Sequence, residues 1–101
     1  MNLIFSSRFE EDFAEVVSYF AAKASLDVAT SFEENTYDLI RLLQLHPEIG
    51  RSRTDLKPPG LRSFGIKGFE RYLLFYQVKG EDLVLLRLRY GGMNLAALFG
   101  S

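Results

Sequence analysis

Three short apolar runs in the C-terminal half constrain the fold of this chain more than any other feature. They span Leu61 to Ile66, Arg71 to Val78 and Leu83 to Arg89. The two joins between them, Lys67 to Glu70 and Lys79 to Asp82, each contain a glycine and are short enough for hairpin turns. The sequence therefore predicts three consecutive strands that form an antiparallel meander.

The first half of the chain shows the spacing of helices. Asn2 to Phe5 reads as a short strand, and Ser7 with Glu10 forms a capping-box pattern at the start of a helix. Its apolar stripe recurs at helical spacing and contains Phe9, Phe13, Val16, Val17 and Phe20. Ser25 is expected to cap a second, antiparallel helix that runs to about Leu45. The core-facing residues of that helix are predicted to be Ala29, Phe32, Thr36, Leu39, Ile40 and Leu43.

Proline, glycine and asparagine indicate where the remaining elements begin and end. His46 precedes Pro47 and ends the second helix, and Pro58 to Gly60 keeps the following loop irregular. Asn94 is expected to cap a short helical turn, Leu95 to Phe99, that docks on the sheet. The predicted fold is α+β: a short N-terminal strand, a two-helix hairpin packed on an antiparallel sheet of the meander plus the first strand, and a C-terminal helical turn. We expect one domain over residues 1–101.

The composition excludes several classes of protein. The chain has no cysteine, so disulfides and cysteine-based zinc sites are excluded, and its one histidine has no second histidine with which to share a metal. No apolar run approaches the roughly 20 residues of a membrane-spanning helix, and the N-terminus lacks the pattern of a secretory signal. We expect a cytoplasmic protein that needs no metal and no cofactor.

Charge is distributed unevenly between the two halves. Residues 1–50 carry three basic and nine acidic residues, whereas residues 51–101 carry nine basic and four acidic residues. The net charge of −1 argues against strong nonspecific binding to nucleic acid. The basic half is suited to nucleic acid, to an acidic partner or to the acidic half of its own chain, and an acidic partner segment deserves equal weight.

Arginines interrupt the predicted strands and the loop before them. Strict alternation in the last strand places Val84, Leu86, Leu88 and Tyr90 toward the core, and Leu83, Leu85, Arg87 and Arg89 on the other face. In the middle strand the same alternation groups Arg71, Leu73, Phe75 and Gln77. The resulting mixed face of leucine, phenylalanine and arginine suits an acidic amphipathic peptide. The alternative is that the helices cover this face and the arginines only line its rim. The candidate partner-binding residues are Arg51, Arg53, Arg62, Arg71, Arg87, Arg89 and Tyr90.

The order of elements and four sequence runs together resemble the ParE/RelE toxin superfamily. The runs are HPEIGR after the second helix, DLKPPGLRSF before the sheet, RYLLFYQV in the middle strand and VLLRLRYG in the last strand. Each is weak alone, but their order covers nearly the whole chain. The resemblance implies the toxin of a bacterial type II toxin–antitoxin system. Its cognate antitoxin would be a small, acidic, partly disordered protein that wraps the toxin and prevents growth arrest.

The end of the last strand bears on which branch of the superfamily the chain resembles. ParE members inhibit DNA gyrase, and RelE members are ribosome-dependent mRNA endoribonucleases. Some of these nucleases place a histidine after an Arg-Tyr pair, where this chain has Gly91 after Arg89 and Tyr90. The resemblance therefore implies first a gyrase inhibitor without catalytic residues, and as an alternative a nuclease that uses Arg89 and Tyr90. Many ParE members have His-Gly-x-Arg-Asp where this chain has Tyr-Gly-Gly-Met-Asn at residues 90–94, so a third possibility is an inactive relative that only binds its antitoxin.

Overall fold

A five-stranded sheet forms the centre of the computed structural model, which describes residues 1–99. The elements in chain order are β1 (Asn2–Phe5), α1 (Ser7–Lys23), α2 (Leu26–Leu45), β2 (Arg51–Ser52), β3 (Arg62–Ile66), β4 (Phe69–Lys79), β5 (Asp82–Tyr90) and α3 (Leu95–Phe99). The strand order is β1-β5-β4-β3-β2. The antiparallel pairs β3–β4 and β4–β5 confirm the predicted meander. Within residues 1–99 no helix is both long and apolar enough to cross a bilayer.

The first strand joins the sheet as predicted, but in the opposite direction. β1 pairs with β5 in parallel, with Asn2 opposite Asp82 and Phe5 opposite Leu85. The sheet is therefore mixed, and the expectation of a wholly antiparallel sheet was wrong for this strand. A tight hairpin turn forces antiparallel pairing, but two helices follow β1, so no turn sets its direction. The two-residue strand β2, which pairs with β3, was also not predicted.

Serine side chains cap both long helices. The Oγ atom of Ser25 accepts a hydrogen bond from Val28 N at 3.0 Å, as predicted. The cap of α1 is Ser6, whose Oγ accepts from Phe9 N at 3.0 Å, so the assignment of Ser7 was wrong by one residue. All six residues predicted to face the core from α2 are buried. The α1 stripe packs against the same core.

A β-bulge divides β5 into two parts. Phe75 of β4 lies opposite Arg87, but the next residue, Tyr76, lies opposite Leu85. Leu86 is therefore an extra residue without a partner in β4. An extra residue shifts the alternation of side chains by one position, so the two parts of β5 follow different phases.

This bulge overturns half of the predicted alternation in β5. Leu83 and Leu85 are fully buried in the core beneath the helices, although the sequence placed them on the other face. Leu86 instead packs in a second apolar cluster, and Val84 is not part of the helix-side core. Beyond the bulge the predicted phase is correct, because Leu88 is fully buried beneath the helices.

Different parts of the chain pack against the two faces of the sheet. α1 and α2 pack on one face, here called the helical face, and enclose the main core. The second cluster lies on the opposite face, beneath the 53–61 loop and α3, and contains Leu56, Leu61, Phe75, Leu73, Leu86, Leu95 and Phe99. The rings of Phe75 and Phe99 are 4.5 Å apart, and Asn94 Oδ1 accepts from Ala97 N at 3.3 Å. The expected capped helical turn that docks on the sheet is thus confirmed.

Candidate functional site

Asp12 on α1 holds the two arginines of β5. Arg87 donates from Nε to Oδ2 at 2.7 Å and from Nη2 to Oδ1 at 3.1 Å. Arg89 donates from Nη1 to Oδ1 at 3.1 Å, and the backbone N–H of Leu88 donates to Oδ2 at 3.1 Å. Asp12 is only 4% exposed. The carboxylate therefore accepts four hydrogen bonds from one strand, and charge-assisted bonds of this kind are among the strongest in proteins.

The position of Asp12 follows from where β1 ends. Ser6, the residue after β1, donates from its N–H to Leu85 O at 3.0 Å and from Oγ to Leu86 O at 2.8 Å. The chain then turns into α1, and β5 continues without a strand neighbour on that side. Asp12 accepts the N–H of Leu88 there, so a side chain replaces a strand partner and satisfies a buried backbone donor.

The arginines set the ionisation of this carboxylate. Burial alone would raise the pKa of Asp12, but the hydrogen bonds from Arg87, Leu88 and Arg89 outweigh burial and lower the pKa below its ordinary value. Asp12 is therefore charged at neutral pH. Sequence reasoning missed this residue, although its position three residues after Phe9, at the margin of the apolar stripe, was a signal.

Arg53 is buried against the opposite face and is held within the chain. Its Nε and Nη2 donate to the two carboxylate oxygens of Asp55 at 3.0 and 2.8 Å, and its Nη1 donates to Ser63 Oγ at 3.2 Å. The guanidinium carbon lies 5.7 Å from the centre of the Phe75 ring. The hydrogen bonds from Arg53 lower the pKa of Asp55 to about 2. These contacts fasten the 53–61 loop to the sheet.

Arg62 and Tyr76 hold the connection that follows α2. Arg62 donates from Nη1 to Glu48 O at 3.0 Å and to Gly50 O at 2.7 Å. The hydroxyl of Tyr76 donates to Pro47 O at 2.6 Å and accepts from Gly50 N at 2.9 Å. Four backbone polar groups with no strand or helix partner are thus satisfied by two side chains.

The three other candidate residues are exposed. Arg51 lies on β2, at the far edge of the sheet from Arg89. Arg71 donates from Nη1 to Tyr90 Oη at 3.1 Å, and the Tyr90 ring lies 5.5 Å from that of Tyr72. The structure therefore separates the predicted residues into one group around β5 and another around the 51–62 loop. Their contact with a partner stays a prediction, to be tested residue by residue.

A cavity of about 220 Å³ lies between α1 and the end of β5, and we call it the tyrosine pocket. Its walls include Glu15, Tyr19, Tyr72, Arg89 and Tyr90. Burial and the neighbouring Tyr19 and Tyr90 raise the pKa of Tyr72, so its phenol stays protonated. The pocket gathers a carboxylate, a guanidinium and phenols, of which the sequence identified only Arg89 and Tyr90.

A larger cavity lies away from these residues. It has a volume of about 560 Å³ and runs between α2 and the β3–β4 hairpin. Its walls are mainly apolar and include Leu42 and Phe64, with Asp38 and Lys67 at the side. None of the predicted partner-binding residues lines it. We therefore place the candidate site at the end of β5.

The sequence matches one family over residues 3–95, described as the ParE toxin of the type II toxin–antitoxin system, parDE. Toxin ParE3 of Caulobacter vibrioides is 47% identical over 58 residues, which are 57% of this chain and 54% of that protein. The chain thus matches about half the length of this curated relative.

Two solved structures share the fold. A structure described as the chromosomal ParDE TA system from P. aeruginosa has a TM-score of 0.75 and 17% identity, covering 89% of this chain and 95% of the other. One described as a YoeB/ParE toxin from Agrobacterium tumefaciens has a TM-score of 0.61 and 21% identity, covering 89% and 98%. At these identities the two structures show the fold alone.

Proposed function

The chain belongs to the ParE toxin family of type II toxin–antitoxin systems, and we propose on that premise that it arrests growth by inhibiting DNA gyrase until a cognate antitoxin neutralises it. The observation that carries this proposal is the extent of the match. Residues 3–95 include β2 to β5, all but the first residue of β1, both long helices and the Asp12–Arg87–Arg89 cluster. A toxin of this kind acts by contact and needs no catalytic residue of its own.

The contact surface is proposed to lie at the end of β5. Arg71 and Tyr90 are exposed and linked by a hydrogen bond of 3.1 Å, and both are free to meet another protein. Arginine and tyrosine are the residue types that most often dominate protein interfaces. Arg89 stands beside them, held by Asp12. Asp12 acts here as a positioning residue, because it holds β5, the strand that presents Tyr90.

The tyrosine pocket favours a second candidate function, ribosome-dependent cleavage of mRNA. Attack by a 2′-hydroxyl on the neighbouring phosphate needs a base for the hydroxyl proton, an acid for the leaving 5′-oxygen and a cation for the developing charge. Glu15, Tyr90 and Arg89 line one cavity and have these three kinds of group. This candidate makes a different prediction about Glu15, because gyrase inhibition does not require a carboxylate in the pocket.

Pulse-labelling of bacteria after induced synthesis of the chain separates the candidates. An early loss of thymidine incorporation, with methionine incorporation intact, is expected for gyrase inhibition, and purified protein should then inhibit DNA supercoiling. An early loss of methionine incorporation would support mRNA cleavage. If neither falls while the protein is folded, the chain is an inactive relative that only binds its antitoxin.

Two variants of α1 extend this experiment. Glu15→Gln removes the carboxylate of the tyrosine pocket, and Glu11→Gln removes an exposed carboxylate of the same helix as the matched control. For gyrase inhibition both variants should arrest growth as the unaltered chain does. Loss of arrest in Glu15→Gln alone would refute simple inhibition by contact at the end of β5 and favour the nuclease.

A further inference from the structure

The first strand, β1, forms an open edge of the sheet. It ends the strand order β1-β5-β4-β3-β2, so within residues 1–99 only β5 pairs with it. Edge strands are usually protected by charged residues, proline, a β-bulge or very short length. The strand at the other edge, β2, has two residues and includes Arg51. β1 has four residues, none of them charged or proline, and it pairs with β5 without a bulge.

Backbone hydrogen bonds show which groups of β1 face the open edge. The N–H groups of Asn2 and Ser6 donate to backbone carbonyls on the β5 side of the strand, at 2.9 and 3.0 Å. Successive residues of a paired strand direct their N–H and C=O groups to alternate sides. Leu3 and Phe5 therefore direct theirs away from β5. These four groups are suited to the addition of a further strand.

A second copy of β1 fits this edge when it runs antiparallel with the two Ile4 residues facing each other. Leu3 of each copy then lies opposite Phe5 of the other. Each of these two pairs exchanges both N–H···O bonds, which gives four main-chain hydrogen bonds between the copies. The three facing pairs are all apolar, so no like charges meet across the strands. A register centred on Leu3 would instead oppose Asn2 and Ile4.

Apolar side chains at this edge are partly exposed in the single chain. Ile4 is 44% exposed and Phe5 is 38% exposed. Phe5 also lines a cavity of about 260 Å³ between α1 and α2, together with Phe13 and Ile40. Pairing of two copies would cover the Ile4 side chains with each other. It would also place Phe5 of one copy beside Leu3 of the other, which packs against the main core.

Charges at the two ends of β1 are complementary in this arrangement. Glu81 lies beside the start of the strand, where its carbonyl accepts from Asn2 N–H at 2.9 Å, and Arg8 follows the end of the strand. Both side chains are exposed and form no ion pair within residues 1–99. Antiparallel pairing brings the start of one strand beside the end of the other. Each Glu81 therefore approaches Arg8 of the second copy.

We propose that the chain forms a homodimer in which two copies of β1 pair antiparallel across a two-fold axis at Ile4. The two five-stranded sheets become one continuous sheet of ten strands, with the helices of both copies on the same side. Two-fold pairing occupies the open edge of each copy, so assembly stops at two chains. The proposal is independent of the target of the toxin, because it rests only on the edge of the sheet.

Sedimentation equilibrium of the purified complete chain, over a series of concentrations, measures the dimer. Ile4→Lys places two lysines opposite each other at the axis and should weaken association by about tenfold or more. Leu42→Lys is the matched control, because Leu42 is 42% exposed but lies on α2. This control should associate within about twofold of the unaltered chain. Circular dichroism and urea unfolding verify that both variants are folded.

A cysteine cross-link tests the register. The chain has no cysteine, so Ile4→Cys introduces a single thiol. Facing residues of a non-hydrogen-bonded antiparallel pair have Cα atoms about 4.5 Å apart, within the roughly 4.4–6.8 Å that a disulfide spans. Under mild oxidation Ile4→Cys should form a disulfide-linked dimer, whereas Leu42→Cys should remain mostly a single chain.

Three outcomes would contradict the proposal. The mass of a single chain at high micromolar concentration would overturn the dimer. A dimer that persists in Ile4→Lys and gives no cross-link at residue 4 would show that the copies meet at another surface. Dissociation of Ile4→Lys without a cross-link at residue 4 would overturn the register centred on Ile4. A dimer that Ile4→Lys dissociates and that cross-links at residue 4 supports both the surface and the register.

Discussion

Replacement of Asp12 by asparagine should destabilise the protein strongly. The change keeps the shape of the side chain but removes the charge that faces Arg87 and Arg89. One of the two oxygens, which now accept four hydrogen bonds, becomes an NH₂ group that points at donors. The variant therefore leaves partly buried guanidinium groups without a counter-charge. It also weakens the hydrogen bond from Leu88 N–H when the NH₂ group takes the place of Oδ2.

The magnitude follows from the exposure of the three side chains. Removal of one partner from a fully buried ion pair costs about 3–5 kcal/mol. The side chains of Arg87 and Arg89 are 13% and 23% exposed, against 5% for Asp12, so water partly compensates the two arginines. We expect a loss of about 2–4 kcal/mol in the free energy of unfolding at neutral pH, a large share of the roughly 5–15 kcal/mol of a typical domain.

Urea unfolding followed by circular dichroism measures this loss. The matched control is Glu15→Gln, which removes an exposed carboxylate three residues further along α1 and should change stability by less than about 0.5 kcal/mol. An Asp12→Asn variant as stable as this control would refute the reasoning, because the cluster would then contribute nothing beyond an ordinary surface charge.

The pH dependence gives an independent check on the same cluster. Because the folded-state pKa of Asp12 lies below its unfolded value, the carboxylate contributes stability above about pH 4 and loses that contribution as the pH falls further. The stability difference between Asp12→Asn and the unaltered chain should therefore shrink below about pH 4. A constant difference down to the acid limit of folding would show that packing, rather than charge, is responsible.

Two further predictions concern the loops. Tyr76→Phe should lose about 1–3 kcal/mol of stability in urea unfolding, because the hydroxyl bonds to Pro47 O and Gly50 N would both be missing; a change below about 0.5 kcal/mol would contradict a structural role for the hydroxyl. Arg53→Lys should raise the folded-state pKa of Asp55 from about 2 toward its ordinary value in a carboxylate NMR titration, so less stability is lost between about pH 4 and pH 2. An unchanged pKa would show that the paired geometry of Arg53 does not set it.

The helical half was readable from the sequence because its signals are local. The predicted apolar stripes matched the buried side of α1 and α2, and Ser25 capped α2 as expected. The strand runs were also correct to within a few residues, because short turns with glycine at residues 68 and 80 join them. Helical spacing and tight turns act over a few residues, so one sequence suffices to read them.

Which side chains of β5 face the core, and what its arginines contact, depend on residues distant in sequence. The bulge at Leu86 arises from pairing with β4 and has no local signature in an apolar run. Asp12 is 75 residues from Arg87 in sequence and meets it only because α1, which begins after β1, packs against β5. A single sequence records neither pairing, so the arginines of β5 were predicted to bind a partner or to line the rim of a covered face, and their bonds to Asp12 were missed.

The arginines of the second half therefore fall into two groups, and each group needs a different test. Arg53, Arg62, Arg87 and Arg89 bond to acidic or backbone groups of their own chain, so variants at these positions should lose function together with stability. Within residues 1–99, Arg71 bonds only to an exposed hydroxyl, and Arg71→Gln should change partner binding without a comparable loss of stability. A variant that loses function is evidence for a contact site only in the second case. If function were measured without stability, the buried arginines would be assigned wrongly to an interface that they only support structurally.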